Sequence, residues 1–432
     1  MRHGSIEVVS TVLGARARSR VLGALCVGSF ALSLGCSDAH DDQTTGALQS
    51  GYAIWAGSPQ SYDEILPFPN VPPPPPLSFN DQTLRQIVRA GGSGDAVRVR
   101  FSNLFGSEPL VIDAAAVARS TGQGNIDAGH QVDLRFAGSP SVTIPAGGET
   151  WSDFATLSVA ADSDLAISLY LARETPVHTV HSLARQTAYL ADGNVLDTAA
   201  LASPTTLASY YWISGVDAAG GGTHRVLVTF GDSITDGFNS TVDAARRYPD
   251  DLSRDLLANP GTSSYSVVNA GISGNRVLND VVGPSGVSRF SRDTLGQDGA
   301  TDVIILLGIN DVGFSVFSPM QEVTADQIIA GLGGFVTTAK AGGLSVYLAT
   351  LLPFQGAGYY TDAGEAKRQA INTWIRGNRD VKGVIDFDTV MRDPANPATI
   401  LPAYNSGDSL HPNDQGYQKM ADSIDPALFA GH

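Results

Sequence analysis

The sequence predicts an α/β domain built on a parallel sheet over residues 224–432, preceded by an all-β sandwich or jelly-roll domain over residues 61–217. The chain has 432 residues, a length that suits two domains. Its second half alternates near-continuous apolar runs with helical stretches, which is typical of parallel strands covered on both faces. Its first half has short alternating runs broken by Gly, Pro, Asn and Asp, the pattern of half-buried antiparallel strands.

The composition excludes several classes of function. With 27 basic and 43 acidic residues the formal net charge is −16, so nucleic acid is not an expected partner. None of the four lysines follows a glycine, and a phosphate-binding loop ending in Gly-Lys is therefore absent from the sequence. Two cysteines, Cys26 and Cys36, can form neither a CxxC zinc site nor a disulfide framework.

Residues 1–35 have the pattern of a secretory signal peptide. An apolar run over residues 21–35 is too short to span a bilayer comfortably, and it follows three arginines, Arg16, Arg18 and Arg20. It ends in Leu32-Ser33-Leu34-Gly35-Cys36, which resembles a bacterial lipobox, where the cysteine carries the lipid. We therefore expect an extracytoplasmic protein that is anchored through lipid on Cys36. A soluble secreted protein is the alternative.

The segments after the predicted signal peptide predict a tether, a proline-rich stretch and the first strands. Residues 36–60 are small and polar and predict a flexible tether, and the five prolines of residues 72–76 predict a stiff surface segment. Alternating runs then predict sandwich strands over residues 97–101, 132–136, 165–171 and 210–216.

A glycine-rich stretch, residues 218–223, predicts a linker between the two domains. Beyond it, apolar runs predict parallel strands over residues 225–230, 265–270, 303–308, 344–351 and 381–387. Helical stretches are expected over residues 248–258, 325–341 and 363–376. Ligands of such sheets bind beyond the carboxyl ends of the strands, so the polar residues that follow each strand are candidates for a site.

Four segments at these positions carry chemistry. In chain order they are Gly231-Asp232-Ser233-Ile234-Thr235-Asp236-Gly237, Asn269-Ala270-Gly271-Ile272-Ser273-Gly274-Asn275, Gly308-Ile309-Asn310-Asp311 and Asp408-Ser409-Leu410-His411-Pro412-Asn413. Together they resemble the four signature blocks of the SGNH (GDSL-type) hydrolase superfamily, over about residues 226–421. The resemblance implies a three-layer α/β/α flavodoxin-like fold and a serine esterase that needs neither an organic cofactor nor a metal.

The residue types in these blocks are the ones that ester hydrolysis by a serine needs. A serine hydroxyl becomes a good nucleophile only when a base takes its proton, and histidine titrates in the useful range. By resemblance Ser233 is the nucleophile, His411 the base and Asp408 the carboxylate that orients the base. The resemblance also assigns the oxyanion hole to the backbone N–H groups of Ser233 and Gly274 and to the side-chain amide of Asn310.

Two other segments match part of a signature block but do not lie at the position in the fold that the block requires. Residues 407–410 spell Gly-Asp-Ser-Leu, but no strand precedes Ser409 and no D-x-x-H motif follows it. Asp127 and His130 form a second D-x-x-H, but they precede every other block and lie in the alternating region. Only Ser233 begins a series in which strand ends, order and spacing agree.

Several other polar residues favour structural roles. Asp236 and Asp311 lie beside motif residues, and we expect them to bind loop backbone. His178 and His181 could suggest a metal site, but their odd spacing on a strand puts the side chains on opposite faces. Three aromatic residues could form a sugar-stacking platform, although core packing is favoured. These are Trp151, Tyr211 and Trp212. Phe314 and Phe317 could line an acyl or alcohol pocket.

SGNH hydrolases with an N-terminal β-sandwich resemble bacterial carbohydrate esterases, so the first expectation for substrate is a small ester or an acetylated polysaccharide. A lipase or lysophospholipase acting on longer acyl chains remains open, as does an acetyltransferase using the same acyl-enzyme. From a different class, a surface lipoprotein that binds glycan and has lost activity also remains open. A membrane contact is expected only through the lipid anchor.

Overall fold

A computed structural model of the protein describes residues 50–64, 74–222 and 224–430. These residues belong to one compact unit, Leu48–His432. The predicted signal peptide, Cys36 and the first two residues of the proline run lie outside the described residues, and so does most of the predicted tether. No helix in the described ranges is both long enough and apolar enough to cross a membrane.

The N-terminal part of the chain is an antiparallel β region, as the alternating runs predict. Its strands are β1 (Tyr52–Ala56), β2 (Gln60–Ser61), β3 (Ser78–Phe79), β4 (Gln82–Ala90), β5 (Ala96–Ser102), β6 (Leu110–Ile112), β7 (Ala114–Gly122), β8 (Asn125–Asp133), β9 (Val142–Ile144), β10 (Glu149–Trp151), β11 (Ser163–Leu171), β12 (Thr175–Pro176), β13 (Thr179–His181), β14 (Ala188–Asp192), β15 (Thr205–Leu207), β16 (Tyr210–Tyr211) and β17 (Ile213–Ala219).

The two largest sheets of this region have the orders β15-β14-β4-β11-β7-β8 and β1-β17-β5-β10, and a smaller sheet has the order β16-β13-β2. The central strand β11 pairs in register with β4 along its whole length, from Ser163 opposite Ala90 to Leu171 opposite Gln82. Alternate residues of β11 and β5 contribute to one apolar core. The jelly-roll connectivity stays a prediction.

Several predicted boundaries differ from the structure. Strand β1 lies inside the predicted tether (residues 36–60), is buried along its length and pairs with β17. Strand β17 continues to Ala219, so the first two residues of the predicted linker (218–223) are buried strand rather than linker. The strand predicted over residues 132–136 ends at Asp133, because the chain turns through Ala137 and Gly138 with positive φ angles of 49° and 82°.

A parallel sheet forms the second part of the chain, as the continuous apolar runs predict. Its strands are β18 (Arg225–Gly231), β19 (Tyr265–Gly271), β20 (Ala300–Leu306), β21 (Ser345–Ala349) and β22 (Gly383–Ile385), and a short antiparallel pair follows, β23 (Arg392–Asp393) and β24 (Asn396–Ile400). The parallel strands lie in the order β19-β18-β20-β21-β22. This is the 2-1-3-4-5 order of flavodoxin-like sheets.

The α-helices of the same part are α1 (Ser233–Asp236), α2 (Tyr248–Ala258), α3 (Gly286–Phe290), α4 (Ile309–Gly313), α5 (Ala325–Ala341), α6 (Asp362–Gly377), α7 (Phe387–Met391) and α8 (Asp414–Asp422). The predicted bounds of α2 and α5 agree with the structure, because both have an amphipathic pattern and α5 begins with a capping box at Thr324. The three-layer arrangement stays a prediction.

The antiparallel region and the parallel sheet are packed against each other. The ring of Tyr52 in β1 stacks on His224 with the ring centroids 3.9 Å apart, and Ala53 N donates to Asp298 O at 2.8 Å. Arg98 of β5 forms an ion pair with Asp298 across the same boundary. The apolar core is continuous from one part to the other. The N-terminal region therefore packs against the amino ends of β18 and β20.

Candidate active site

Ser233 lies where the chain leaves β18, the second strand in the order of the parallel sheet. Strand β18 ends at Gly231, and Ser233 is the first residue of α1. The carboxylate of Asp232 caps this short helix by accepting a hydrogen bond from Ile234 N at 3.1 Å. Gly237 ends the helix in the left-handed conformation. The hydroxyl is thus held at the carboxyl edge of the sheet, the edge at which such folds bind ligands.

His411 meets Ser233 from the other end of the domain. It lies in the loop before α8, and its Nε2 is 2.8 Å from Ser233 Oγ. The ring of Phe238 lies against the imidazole, with ring centroids 4.5 Å apart. Ser233 exposes 5% of its surface and His411 exposes 8%. The predicted nucleophile and base are therefore brought together in a nearly covered position.

Asp408 completes a continuous hydrogen-bonded chain. Its Oδ2 is 2.6 Å from His411 Nδ1, and its Oδ1 accepts from the backbone N–H groups of His411 at 2.8 Å and Leu410 at 3.0 Å. Burial raises the pKa of Asp408, but these hydrogen bonds outweigh burial and hold the pKa well below its usual range. The carboxylate is thus charged at any pH at which His411 can act.

Asn239, which the sequence analysis missed, also holds Asp408. Its Nδ2 donates to Asp408 Oδ2 at 3.1 Å and to Ser406 Oγ at 2.9 Å, and Ser406 Oγ donates to Asp408 Oδ1 at 3.2 Å. Asn239 has a φ of 66°, in the left-handed region that asparagine tolerates. An Asn in the loop after the nucleophile is the only signal for it in the sequence.

Gly274 lies in the loop that follows β19. Its φ is 79°, which strongly favours glycine, and a β-carbon there would lie 2.8 Å from Val282 Cγ1. The residue before it is held by Asp236, whose Oδ2 accepts from Ser273 N at 2.8 Å and from Ser273 Oγ at 2.7 Å. Asp236 binds loop backbone, as expected, and the structure adds a third partner, His181.

Asn310 lies in the first turn of α4 and exposes 5% of its surface. Its Nδ2 donates to Asn275 O at 3.0 Å, and its Oδ1 accepts from the hydroxyl of Tyr359 at 3.2 Å. These two contacts fix which way the amide faces. Because Nδ2 carries two hydrogens, one remains for a further acceptor. Tyr359 lies in a loop without a motif, and the sequence analysis missed it.

Two buried charged residues hold the strand ends that carry these groups. Asp311 accepts from Val277 N at 2.7 Å and Leu278 N at 3.2 Å, as expected of a residue that binds loop backbone. Burial raises the pKa of Asp311 to about 6 against these hydrogen bonds. The guanidinium of Arg289, which the sequence analysis missed, donates to Gly231 O and Ala270 O, both at 2.8 Å. It thus ties the ends of β18 and β19 together.

Asp232 combines a role in the helix cap with an unpaired oxygen. Its Oδ2 is buried and has no hydrogen-bond partner in the described part of the chain. Burial raises the pKa of Asp232 to about 7, and nearby Asp311 acts in the same direction. A carboxyl group beside the nucleophile is therefore partly protonated near neutral pH.

The structure places the remaining candidates in other contacts. Tyr211 and Trp212 are buried core residues, whereas Trp151 is half-buried beneath the guanidinium groups of Arg98 and Arg100. Phe314 is buried under Arg276, and Phe317 is half-buried against it. The pair formed by Asp127 and His130 is exposed on β8. His178 and His181 make separate contacts, with Ser107 and Asp236. Across the described ranges, no group of three or more potential metal-ligating side chains is found.

A histidine placed between a serine hydroxyl and a carboxylate can take the serine proton and pass it to a leaving group. The Asn310 amide lies on the neighbouring strand end of the same sheet, where it can donate to an oxygen that gains negative charge. The arrangement is therefore competent for nucleophilic acyl transfer.

Comparison with known proteins places the second part of the chain in a family. The model of the GDSL-like lipase/acylhydrolase family matches residues 229–419, which contain every segment described above except the antiparallel region. No curated protein matches the chain.

Several solved structures resemble about half of the chain. A GDSL-like lipase from Bacteroides thetaiotaomicron is 22% identical, with a TM-score of 0.37, over 48% of this chain and 88% of that one. An acetylxylan esterase from Geobacillus stearothermophilus is 23% identical, with a TM-score of 0.37, over 47% of this chain and 93% of that one. The match of the family model identifies residues 229–419 as a GDSL-like lipase/acylhydrolase domain, which supports a carboxylic ester hydrolase.

Proposed function

We propose that the protein is a serine esterase in which Ser233 is the nucleophile, His411 the general base and Asp408 the residue that orients the base. The observation that carries the proposal is the unbroken chain from Ser233 Oγ to His411 Nε2 at 2.8 Å and from His411 Nδ1 to Asp408 Oδ2 at 2.6 Å. Distances of this size allow proton transfer without rearrangement of the side chains.

In the first half of the reaction, Ser233 Oγ bonds to the ester carbonyl carbon while His411 takes the hydroxyl proton. The carbonyl oxygen then carries the negative charge and receives hydrogen bonds from the backbone N–H groups of Ser233 and Gly274 and from Asn310 Nδ2. When the bond to the alcohol oxygen breaks, His411 returns the proton to the leaving alcohol, and an acyl-enzyme remains. Asp408 stabilises the imidazolium throughout.

In the second half, a water molecule loses a proton to His411 and bonds to the same carbonyl carbon. Collapse of this second tetrahedral species breaks the bond to Ser233 Oγ, which regains the proton, and the carboxylic acid leaves. An alcohol such as a sugar hydroxyl could replace water in this step, which would make the same site an acyltransferase.

Short acyl groups on carbohydrate are the proposed substrates. Ser233, Asn310 and His411 expose 8% or less of their surfaces, Tyr359 contacts Asn310, and Phe238 lies against His411. Phe314 is turned into the core rather than lining an open groove for a long acyl chain. A covered site of this kind favours a small acyl group over a long one. A neutral sugar ester also suits a chain whose formal net charge is −16, because it brings no negative charge to be repelled.

We also propose that the protein works outside the cytoplasm and is anchored through lipid on Cys36. The support is the sequence of residues 1–36 alone. Replacing Cys36 by Ala is expected to abolish incorporation of labelled palmitate and to move the protein from the membrane fraction to the soluble fraction. A wild-type protein that is found in the soluble fraction and takes up no palmitate would contradict the anchor and leave the soluble secreted form.

The activity is tested by Ser233→Ala on p-nitrophenyl acetate. We expect the variant to lose about 10³-fold or more of kcat, because the nucleophile is removed while the fold is kept. An acyl series from acetate to palmitate, measured beside acetylated xylan, reports the preferred substrate, and short chains are expected to be fastest. Equal activity of wild type and variant would overturn the mechanism. A maximum on palmitate would instead identify a lipase, and inactivity of both proteins on all esters would favour a glycan-binding role.

A further inference from the structure

The antiparallel region supplies one buried side chain to the active-site edge of the parallel sheet. His181, at the end of β13, exposes 5% of its surface, and its Nε2 is 3.0 Å from Asp236 Oδ1. The other carboxylate oxygen of Asp236 holds both the N–H and the hydroxyl of Ser273, directly before Gly274. One carboxylate therefore joins the N-terminal region to the loop assigned to the oxyanion hole.

We propose that His181 is a positioning residue for the esterase reaction, which acts through Asp236 to hold the Ser273–Gly274 backbone where it receives the oxyanion. The inference rests on the proposed function, because it needs Gly274 to be an oxyanion donor. It gives the N-terminal region a role in catalysis without contact between His181 and the substrate.

The contacts of His181 require a charged imidazolium. Its Nδ1 is 3.0 Å from the carbonyl oxygen of Ser58, and its Nε2 faces the Asp236 carboxylate. Both partners are acceptors, and a neutral imidazole has one N–H to offer, so both contacts are made only when both nitrogens are protonated. Burial alone lowers the pKa of His181, but the charge of Asp236 and the two hydrogen bonds outweigh burial and raise it.

Other charged and titratable groups surround the pair. Arg247 opposes the charge on His181, and the ring of Tyr210 lies beside it with centroids 6.1 Å apart. Groups that act electrostatically on Asp236 are Arg185, Asp232, Arg289 and Tyr417. Three of these surrounding groups are arginines, whose positive charges lie near Asp236.

A second contact from the same region reaches the same loop. Ser58 Oγ lies 3.4 Å from Nη1 of Arg289, and Nε of Arg289 donates to Asn275 Oδ1 at 2.9 Å. Gln60 packs against Gly283, since a β-carbon on that glycine would lie 3.2 Å from Gln60 Cγ. The N-terminal region thus supports the loop from residue 273 to residue 283 at several points, and His181 makes the charged contact among them.

The experiment compares His181→Asn with His181→Gln on p-nitrophenyl acetate. The amide of Gln replaces Nε2 and keeps a donor toward Asp236, whereas the amide of Asn replaces Nδ1 and reaches only Ser58. A misplaced catalytic group costs up to about 10²-fold in rate. We expect His181→Asn to lose about 10- to 100-fold of kcat with little change in KM, and His181→Gln to keep most of the wild-type kcat.

The pH profile provides a readout that a purely structural role would not move. The pKa of His181 in the folded protein is raised, so the ion pair is complete at low pH and is lost as the pH rises through that pKa. We expect wild-type kcat to fall at alkaline pH, with this fall absent in His181→Gln, whose amide does not titrate. A wild-type kcat that stays flat at alkaline pH would overturn the proposal even if neither variant could be purified.

Tyr210→Phe is the matched control. Tyr210 is buried beside His181 in the paired strand, and its hydroxyl donates to Ile87 O at 2.9 Å, remote from Asp236. The Tyr210→Phe substitution should lower the melting temperature and leave kcat unchanged. If His181→Asn has the wild-type kcat while Ser233→Ala is inactive, the inference fails and the proposed function stands. If Ser233→Ala is fully active, the proposed function itself fails.

Discussion

At the scale of single residues, the site depends on hydrogen-bond direction. Each oxygen of the Asp408 carboxylate has a task, since Oδ2 faces the His411 ring and Oδ1 accepts two backbone N–H groups. Asn310 is similarly fixed, with its oxygen committed to Tyr359 and one amide hydrogen committed to Asn275. In both cases the side chain is oriented before substrate arrives, and such preorganisation accounts for much of the catalytic effect of an oxyanion hole.

Asp408→Asn is expected to lower kcat on p-nitrophenyl acetate by about 10²- to 10⁴-fold, and by less than Ser233→Ala, because the base remains present but poorly oriented. Ser409→Ala is the control. Ser409 belongs to the literal Gly-Asp-Ser-Leu segment, and its hydroxyl lies near Gly356 rather than in the hydrogen-bonded chain. The Ser409→Ala variant should keep wild-type kinetics. Wild-type activity of Asp408→Asn would remove Asp408 from the mechanism.

At the scale of elements, the site depends on how closely strand ends approach the helix that carries the nucleophile. A β-carbon on Gly271, the last residue of β19, would lie 2.4 Å from the backbone N of Asp236 in α1. The backbone of α1 therefore lies directly against the end of the strand, which only a residue without a side chain allows. Arg289 supports the same region by donating to carbonyl oxygens at the ends of β18 and β19.

Gly271→Ala is expected to destabilise the protein by roughly 1–3 kcal/mol, since the clash involves backbone that cannot move aside, and to reduce esterase activity as α1 shifts. Gly334→Ala, on the exposed face of α5, meets no atom within 4 Å. It should raise stability by roughly 0.5–1 kcal/mol through helix propensity and leave activity unchanged. Urea unfolding with parallel assays measures both effects, and equal stability of the two variants would contradict the close approach.

At the scale of the whole molecule, the two parts of the chain share one core and several buried carboxyl groups. Burial is the largest cause that raises the pKa of each group, to about 7 for Asp217 and Asp232 and to about 6 for Asp251 and Asp311. Asp217 belongs to β17, and the others belong to the parallel-sheet domain. Both parts therefore contribute to the same dependence of stability on pH.

We expect the melting temperature to fall by several degrees between about pH 5.5 and about pH 8. An unfolded carboxyl group has a pKa of about 3.9, so in this range the folded state binds more protons than the unfolded state, and stability decreases as the pH rises. The raised pKa of His181 acts in the same direction. Asp217→Asn should reduce the difference, since its amide does not titrate. A higher melting temperature at alkaline pH would contradict these shifts.

Much of the fold follows from patterns of apolar and polar residues along short stretches of the sequence. The positions of the five parallel strands were predictable because strands that are buried on both faces have continuous apolar sequences. The bounds of α2 and α5 were predictable because both helices have an amphipathic pattern. Ser233, Asn310 and His411 could be named because the segments that contain them resemble the signature blocks of a known family. The missed boundary at β1 has the opposite cause. Its neighbours are small and polar, and its partner β17 is more than 150 residues away.

The sequence by itself determined the class of each half from its periodicity, and its resemblance to a known family pointed to Ser233 and His411 as the proposed nucleophile and base. Only the tertiary structure decided which side chains support them. Asn239 and Tyr359 carry no motif, and His181 meets Asp236 across a separation of 55 residues. Such contacts depend on how the two parts of the chain pack, because a side chain's partner is set by the surface against which its element is buried.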